Sequence, residues 1–186
     1  MKKAKKFPDL ALGSYEAAGV MGIHFTRPRL MAEAGKLMCR QIGSRSKNPR
    51  HVVAVFSMDD CERDYREYCD RVEAAGGKHY RRPRAWLHLR PEALRRLKTA
   101  VPIEYADACS VREAMEILRC NSTSLVTRML NSGELIGRKA WNPRYKGKVG
   151  DLWIISRRSV EERKKKVVAW EASGKKPGIR KFIAKK

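Results

Sequence analysis

The chain repeats itself, and this bounds its fold more tightly than any other feature. Ser14-Tyr15-Glu16-Ala17-Ala18 recurs as Ser110-Val111-Arg112-Glu113-Ala114, with the two glutamates 97 positions apart. Ala34-Gly35-Lys36-Leu37-Met38 matches Ser132-Gly133-Glu134-Leu135-Ile136 at an offset of 98. Val55-Phe56-Ser57 matches Ile154-Ile155-Ser156 at 99, and Glu73-Ala74-Ala75-Gly76 returns as Glu171-Ala172-Ser173-Gly174 at 98. Four matches in chain order, drifting by a residue or two, mark a duplication with small insertions at turns. A length of 186 residues suits one ordinary domain or two small ones, and the repeat selects the second.

The later copy is the clearer. Ser110 caps a helix and Glu113 reaches back to the cap amide, a capping box. Val111, Ala114, Met115 and Leu118 then share one face of a helix over 111–118. Arg119-Cys120-Asn121-Ser122 breaks it, and Asn121 or Ser122 caps a second helix from Thr123 to about Ser132. Val126, Met129 and Leu130 form the inward stripe of that helix, and Gly133 sits where its end requires a left-handed residue. Two short helices joined by a tight turn make a helix-turn-helix. Strand-like runs at 135–141 and 151–155 flank the basic loop Asn142-Pro143-Arg144-Tyr145-Lys146-Gly147-Lys148, which reads as a hairpin. A last helix is expected from a Ser159 capping box to Ala172, with Glu161–Lys165 and Glu162–Lys166 pairs.

The earlier copy has the same parts in weaker form. Ser14 opens a helix through Met21, Thr26 caps a short helix containing Pro28, and Gly35 ends it. A hairpin is expected over 37–56, and a helix over 60–75 that aligns Cys61, Tyr65, Tyr68, Cys69 and Val72 on a face needing cover. The expected organisation is a basic arm at 1–9, a first unit at 10–76, a joint at 77–107, a second unit at 108–174 and a basic tail at 175–186. In the joint, Trp86, Leu87, Leu89, Leu94 and Leu97 are apolar enough to dock on a unit, and Pro91 opens a short helix.

Lysine and arginine number 42 against 20 acids, a net charge of +22. Nucleic acid is the commonest partner for such a charge. No apolar run approaches the ~20 residues of a membrane span, and Pro8 and Asp9 interrupt any signal-like start. The reading is therefore a cytoplasmic, nucleoid-associated protein without a membrane partner. Cys39, Cys61, Cys69, Cys109 and Cys120 form no CxxC pair, and with His24, His51, His79 and His88 scattered they read as buried or half-buried free thiols. Neither a cofactor nor a metal is expected. No Gly-rich phosphate loop, clustered carboxylates or nucleophile triad supports an enzyme, and Asp59-Asp60 reads as a helix cap.

At this point the pattern resembles a known family. Ser110-Val111-Arg112-Glu113-Ala114, a helix-turn-helix ending in Ser132-Gly133-Glu134-Leu135, a basic hairpin and Ser159-Val160 look like the MerR/phage-excisionase class of winged helix-turn-helix domain. The resemblance covers about 108–165, and less fully about 12–75. It implies a mainly α (α+β) fold of two tandem winged helix-turn-helix modules, with small β-hairpin wings and a partly helical joint. It also implies double-stranded DNA binding. The long dimerisation helix and effector domain of MerR regulators are not evident.

In such a module the second helix reads base edges while the wing holds phosphates. The base-reading residues expected here are Thr123, Ser124, Thr127, Arg128 and Asn131, with Arg128 suited to guanine and Asn131 to adenine. Arg138, Lys139, Arg144, Lys146 and Lys148 are the phosphate or minor-groove candidates of the second wing, and Arg45, Lys47 and Arg50 those of the first. Arg27 and Arg29 open the first unit's short helix and are expected on phosphates. Head-to-tail duplication favours direct-repeat half-sites. The expected role is a transcriptional regulator or excisionase-type recombination-directionality factor of a phage or mobile element. It would act as a monomer with two modules or a weak oligomer on DNA, with an integrase or RNA polymerase as protein partner. A small-terminase-like packaging or replication-initiation factor is the alternative, and an RNA-binding ribosome-associated protein the alternative of another class.

Overall fold

A computed structural model describes residues 9–44, 52–76, 84–143 and 152–173. Within them the fold is mixed α+β, with two three-stranded antiparallel sheets. The first unit runs β1 (Ala11–Gly13), α1 (Ser14–Met21), α2 (Arg27–Glu33), β2 (Cys39–Ser44), β3 (Val52–Ser57), α3 (Met58–Ala74). After a short 3-10 turn and α4 (Arg90–Thr99), the same order returns as β4 (Ala108–Cys109), α5 (Val111–Leu118), α6 (Thr123–Asn131), β5 (Gly137–Lys139), β6 (Trp153–Ser156) and α7 (Arg157–Ala172). Strand orders β1-β3-β2 and β4-β6-β5 match as well.

The repeat extends to single hydrogen bonds. Gly13 N–H donates to Glu16 Oε2 at 2.9 Å, and Ser110 N–H to Glu113 Oε2 at 2.8 Å, the same reach-back at the head of α1 and of α5. Ser57 accepts from Asp60 N–H as Ser156 accepts from Ser159 N–H, each at 3.2 Å, capping α3 and α7. Their hydroxyls donate onward to Asp9 and Asp107, two carboxylates 98 positions apart. Gly35 (φ 69°) and Gly133 (φ 76°) end the second helix of each unit in the left-handed region, where a Cβ is strained.

Several expectations change in detail. The hairpins are three-stranded sheets, because β1 and β4 add an outer strand to each. The last helices begin earlier than expected, capped by Ser57 and Ser156, so Ser159 lies within the first turn of α7 and Asp59-Asp60 within that of α3. Glu161 and Glu162 make no ion pair among the described residues; Arg163 instead reaches Glu134 at 2.7 Å.

The joint is built into the first unit. The C-terminal carbonyls of α1 have no basic side chain of their own, yet Arg90 donates to Val20 O, Arg84 to Met21 O and Trp86 N–H to Gly22 O. These satisfy acceptors that a helix end otherwise leaves open. The same arginines cover the exposed face of α3. Arg90 lies 3.5 Å over the Tyr65 ring and pairs with Glu62, while Arg84 lies 4.3 Å over Tyr68 and pairs with Asp64. Ala93 and Leu97 of α4 enter the core formed by Leu12, Val20, Met21, Phe56 and Cys61.

A separate core contains Ala11, Ile42 and Val55 from the first sheet, Ala108 and Ile154 from the second, and Ala140 just past the end of β5. Alternation along each strand sends one set of side chains to its own helices and the other to the opposite sheet. The two sheets therefore face one another, with helices outside. In that interface Arg138 and Glu16 form a buried ion pair, their side chains 7% and 3% exposed. Arg138 also donates to Ala11 O at 2.7 Å, and Trp141 N–H donates to Glu16 at 2.9 Å.

The five cysteines are free, Cys61 and Cys109 buried and the others half-buried. Burial, then the Glu113 carboxylate, pushes the Cys109 thiol from 9.0 up to about 12, and burial raises Cys61 as well. A thiol raised on folding stays protonated, so its share of stability is whole below its ordinary value of 9.0 and is lost as pH rises towards 12. Alkylation at pH 8 followed by mass spectrometry should modify Cys69 and Cys120 first and leave Cys61 and Cys109 intact until unfolding. Equal labelling of Cys109 and Cys120 in the folded chain would contradict this burial.

Candidate nucleic-acid interface

α6 offers the most coherent polar surface among the described residues that were expected to bind DNA. Ser122 accepts from Leu125 N–H at 3.3 Å and starts the helix. Val126, Met129 and Leu130 then anchor it in a core with Ala114, Leu135, Ile155 and Val160. At 100° per residue, Thr123, Thr127, Asn131, Ser124 and Arg128 occupy one contiguous arc of about 140°. Thr123, Ser124, Arg128 and Asn131 are exposed and Thr127, within the arc, is half-buried. Ser124 shares a hydrogen bond of 3.0 Å with the capping Ser122. Arg128 is exposed and has no ion-pair partner among the described residues, and its guanidinium carries five donors.

The counterpart helix α2 differs in chemistry. At the offset of 98, Leu30 stands where the second unit has Arg128, and Glu33 where it has Asn131. Arg29 is exposed but tied to Glu33 at 2.9 Å. Arg27 lines a cleft of about 680 Å³ between α2 and α3, shared with Asp60, Asp64 and Glu67. Phe25 stacks on Tyr15 with centroids 4.9 Å apart and faces Trp86 at 5.8 Å, so the joint closes over the start of this helix. Arg27 and Arg29 thus lie beside acids that compete with phosphate, a weaker anion surface than the sequence suggests.

Arg138 is a correction. Expected on phosphate or in the minor groove, it is buried, its side chain 7% exposed and its guanidinium committed to Glu16 and Ala11. Lys139, its neighbour in β5, points the opposite way, as alternation requires. It is exposed, with its ammonium 5.3 Å from the Trp153 ring centroid at the base of the hairpin. Arg144, Lys146 and Lys148, and Arg45, Lys47 and Arg50, lie outside the described residues.

Sequence reasoning missed Asp9 and Asp107 as organisers of the sheet-to-helix corners. Asp9 accepts from Ser57 and from Asp59 N–H, and Asp107 from Ser156 and from Arg158 N–H. The signal was present, because both aspartates fall on the repeat offset. It lay outside the four stretches whose similarity exposed the duplication.

Among the described residues, no group of three or more histidine, cysteine, aspartate or glutamate side chains is placed to hold a metal, and no helix is long and apolar enough to cross a membrane. Comparison with protein-family models, curated proteins and solved structures finds no match to this chain.

Proposed function

We propose that this chain is a sequence-specific double-stranded DNA-binding protein in which α5 and α6 act as a helix-turn-helix and the β5–β6 hairpin as its wing. The observation that carries the reading is the polar arc of α6: short hydrogen-bonding side chains around one unpaired arginine, on a helix held rigid by its other face. An α-helix of that kind fits the major groove, where arginine meets guanine and asparagine meets adenine. The net charge of +22 supplies the sequence-independent attraction to phosphate. Lys139 supports a phosphate contact at the root of the wing. The first unit contributes mainly to backbone grip and orientation, since Leu30 and Glu33 replace the base-reading pair. Regulation of transcription, or direction of recombination in a phage or mobile element, is the role that suits a DNA-binding chain of this build.

The test is Arg128→Ala, measured on a duplex selected by the parent chain and on an unrelated duplex. Loss of a bidentate base contact costs roughly 1–3 kcal/mol, a weakening of about 5- to 150-fold on the selected duplex. Affinity for the unrelated duplex should fall far less. Equal affinity of parent and variant on the selected duplex would remove α6 as the reading element.

A further inference from the structure

We infer that the two units are related by an internal two-fold axis, so that the chain presents its two heads to DNA as an inverted pair and not as a direct repeat. This rests on the DNA-binding reading above and specifies the arrangement of the DNA that the chain takes.

The argument comes from the direction of contacts across the interface. In a two-fold interface, if surface i of one unit touches j of the other, then j of the first touches i of the second. A head-to-tail interface makes each contact in one direction only. Here β5 of the second unit reaches the start of α1 through Arg138 and Glu16. The converse contact is also present, with β2 of the first unit packing on α5. Arg40 and Arg138 are equivalent at the offset of 98. Each donates to a backbone carbonyl at or just ahead of the other unit's first strand, Arg138 to Ala11 O in β1 at 2.7 Å and Arg40 to Ala106 O, two residues before β4, at 3.0 Å. The shared core contains matched pairs: Ala11 with Ala108, Ile42 with Ala140, and Val55 with Ile154. Packing is tight enough to exclude even a methyl group at one point, since a Cβ on Gly13 would stand 2.8 Å from that of Ala140.

Such an interface fixes the heads relative to one another. A pair of inverted half-sites at one spacing then becomes the preferred DNA, because a rotated head reads the opposite strand. The present divergence of α2 hides that symmetry, and restoring it makes the test direct. Leu30 and Glu33 are both exposed, so Leu30→Arg with Glu33→Asn gives the first head the pair found in α6 without disturbing the core. The full-length chain and this double variant are each used to select from a duplex pool with a random core of about three helical turns. A melting curve like the parent's confirms the variant's fold. The expected result is that the variant enriches the parent's half-site together with its inverted copy at a single spacing. It should bind that duplex on the order of a hundredfold more tightly than one with the copies in the same orientation. Enrichment of same-orientation copies, or of one half-site alone in the variant, overturns the two-fold arrangement and leaves DNA binding intact. Failure of the parent to enrich any sequence overturns both.

Discussion

Arg138→Ala should destabilise the protein by about 3–5 kcal/mol, the usual cost of leaving one member of a buried ion pair without its partner. The Glu16 carboxylate would remain inside the sheet interface with only the Gly13 and Trp141 amides to donate to it. Water has little access, because the Glu16 side chain is 3% exposed. The loss should appear in urea as a lower midpoint with an unchanged slope. Glu16→Gln combined with Arg138→Met removes both charges and should recover part of the stability, which a pair acting independently would not do. A loss below about 1 kcal/mol for Arg138→Ala would place this pair with exposed bridges and remove it as the lock between the units.

Phe56→Ala should cost a comparable 3–5 kcal/mol, through lost transfer energy and the cavity left behind. Phe56 lies on the central strand of its sheet, opposite Leu12 on one side and Cys39 on the other. Its ring is fully buried among residues of α1, α3 and α4, elements that arrive from three separate stretches of chain. The more informative outcome is the form of the transition. Since the sheets share a core, the variant should still unfold in one step, with fluorescence and circular dichroism coinciding. Two separated transitions would mean that the units fold independently and that the sheet-to-sheet core contributes little.

The boundaries of α5 and α6 were legible because their determinants are local. Ser110 and Glu113 close their capping box within four residues, and α5 spans 111–118 as expected. Ser122 caps α6, and Gly133 turns left-handed at its end. The inward stripe of Val126, Met129 and Leu130 follows the helical period and is buried. The first unit was less legible in its last helix, where Tyr65 and Tyr68 form an apolar face whose cover comes from arginines of the joint. Charged residues on a joint read as solvated or DNA-facing; here Arg84 and Arg90 stack on rings and close a helix end.

β1 and β4 were not legible. Three and two residues long, and made of alanine, leucine, glycine and cysteine, they are too short to show a period of two. Without them the second face of each sheet had no visible partner, and Arg138 read as one more cation of a basic hairpin. Its partner lies 122 positions away.

By itself the sequence determined the duplication, the order of helices and hairpins within each copy, the capping and turn residues, and the polar arc of α6, because each depends on interactions spanning a few neighbouring residues. Only the tertiary structure decided which cations are exposed, how the joint is used, and that the copies share a core through opposed sheets. Those features depend on burial, and burial is set by which surfaces distant parts of the chain bring together.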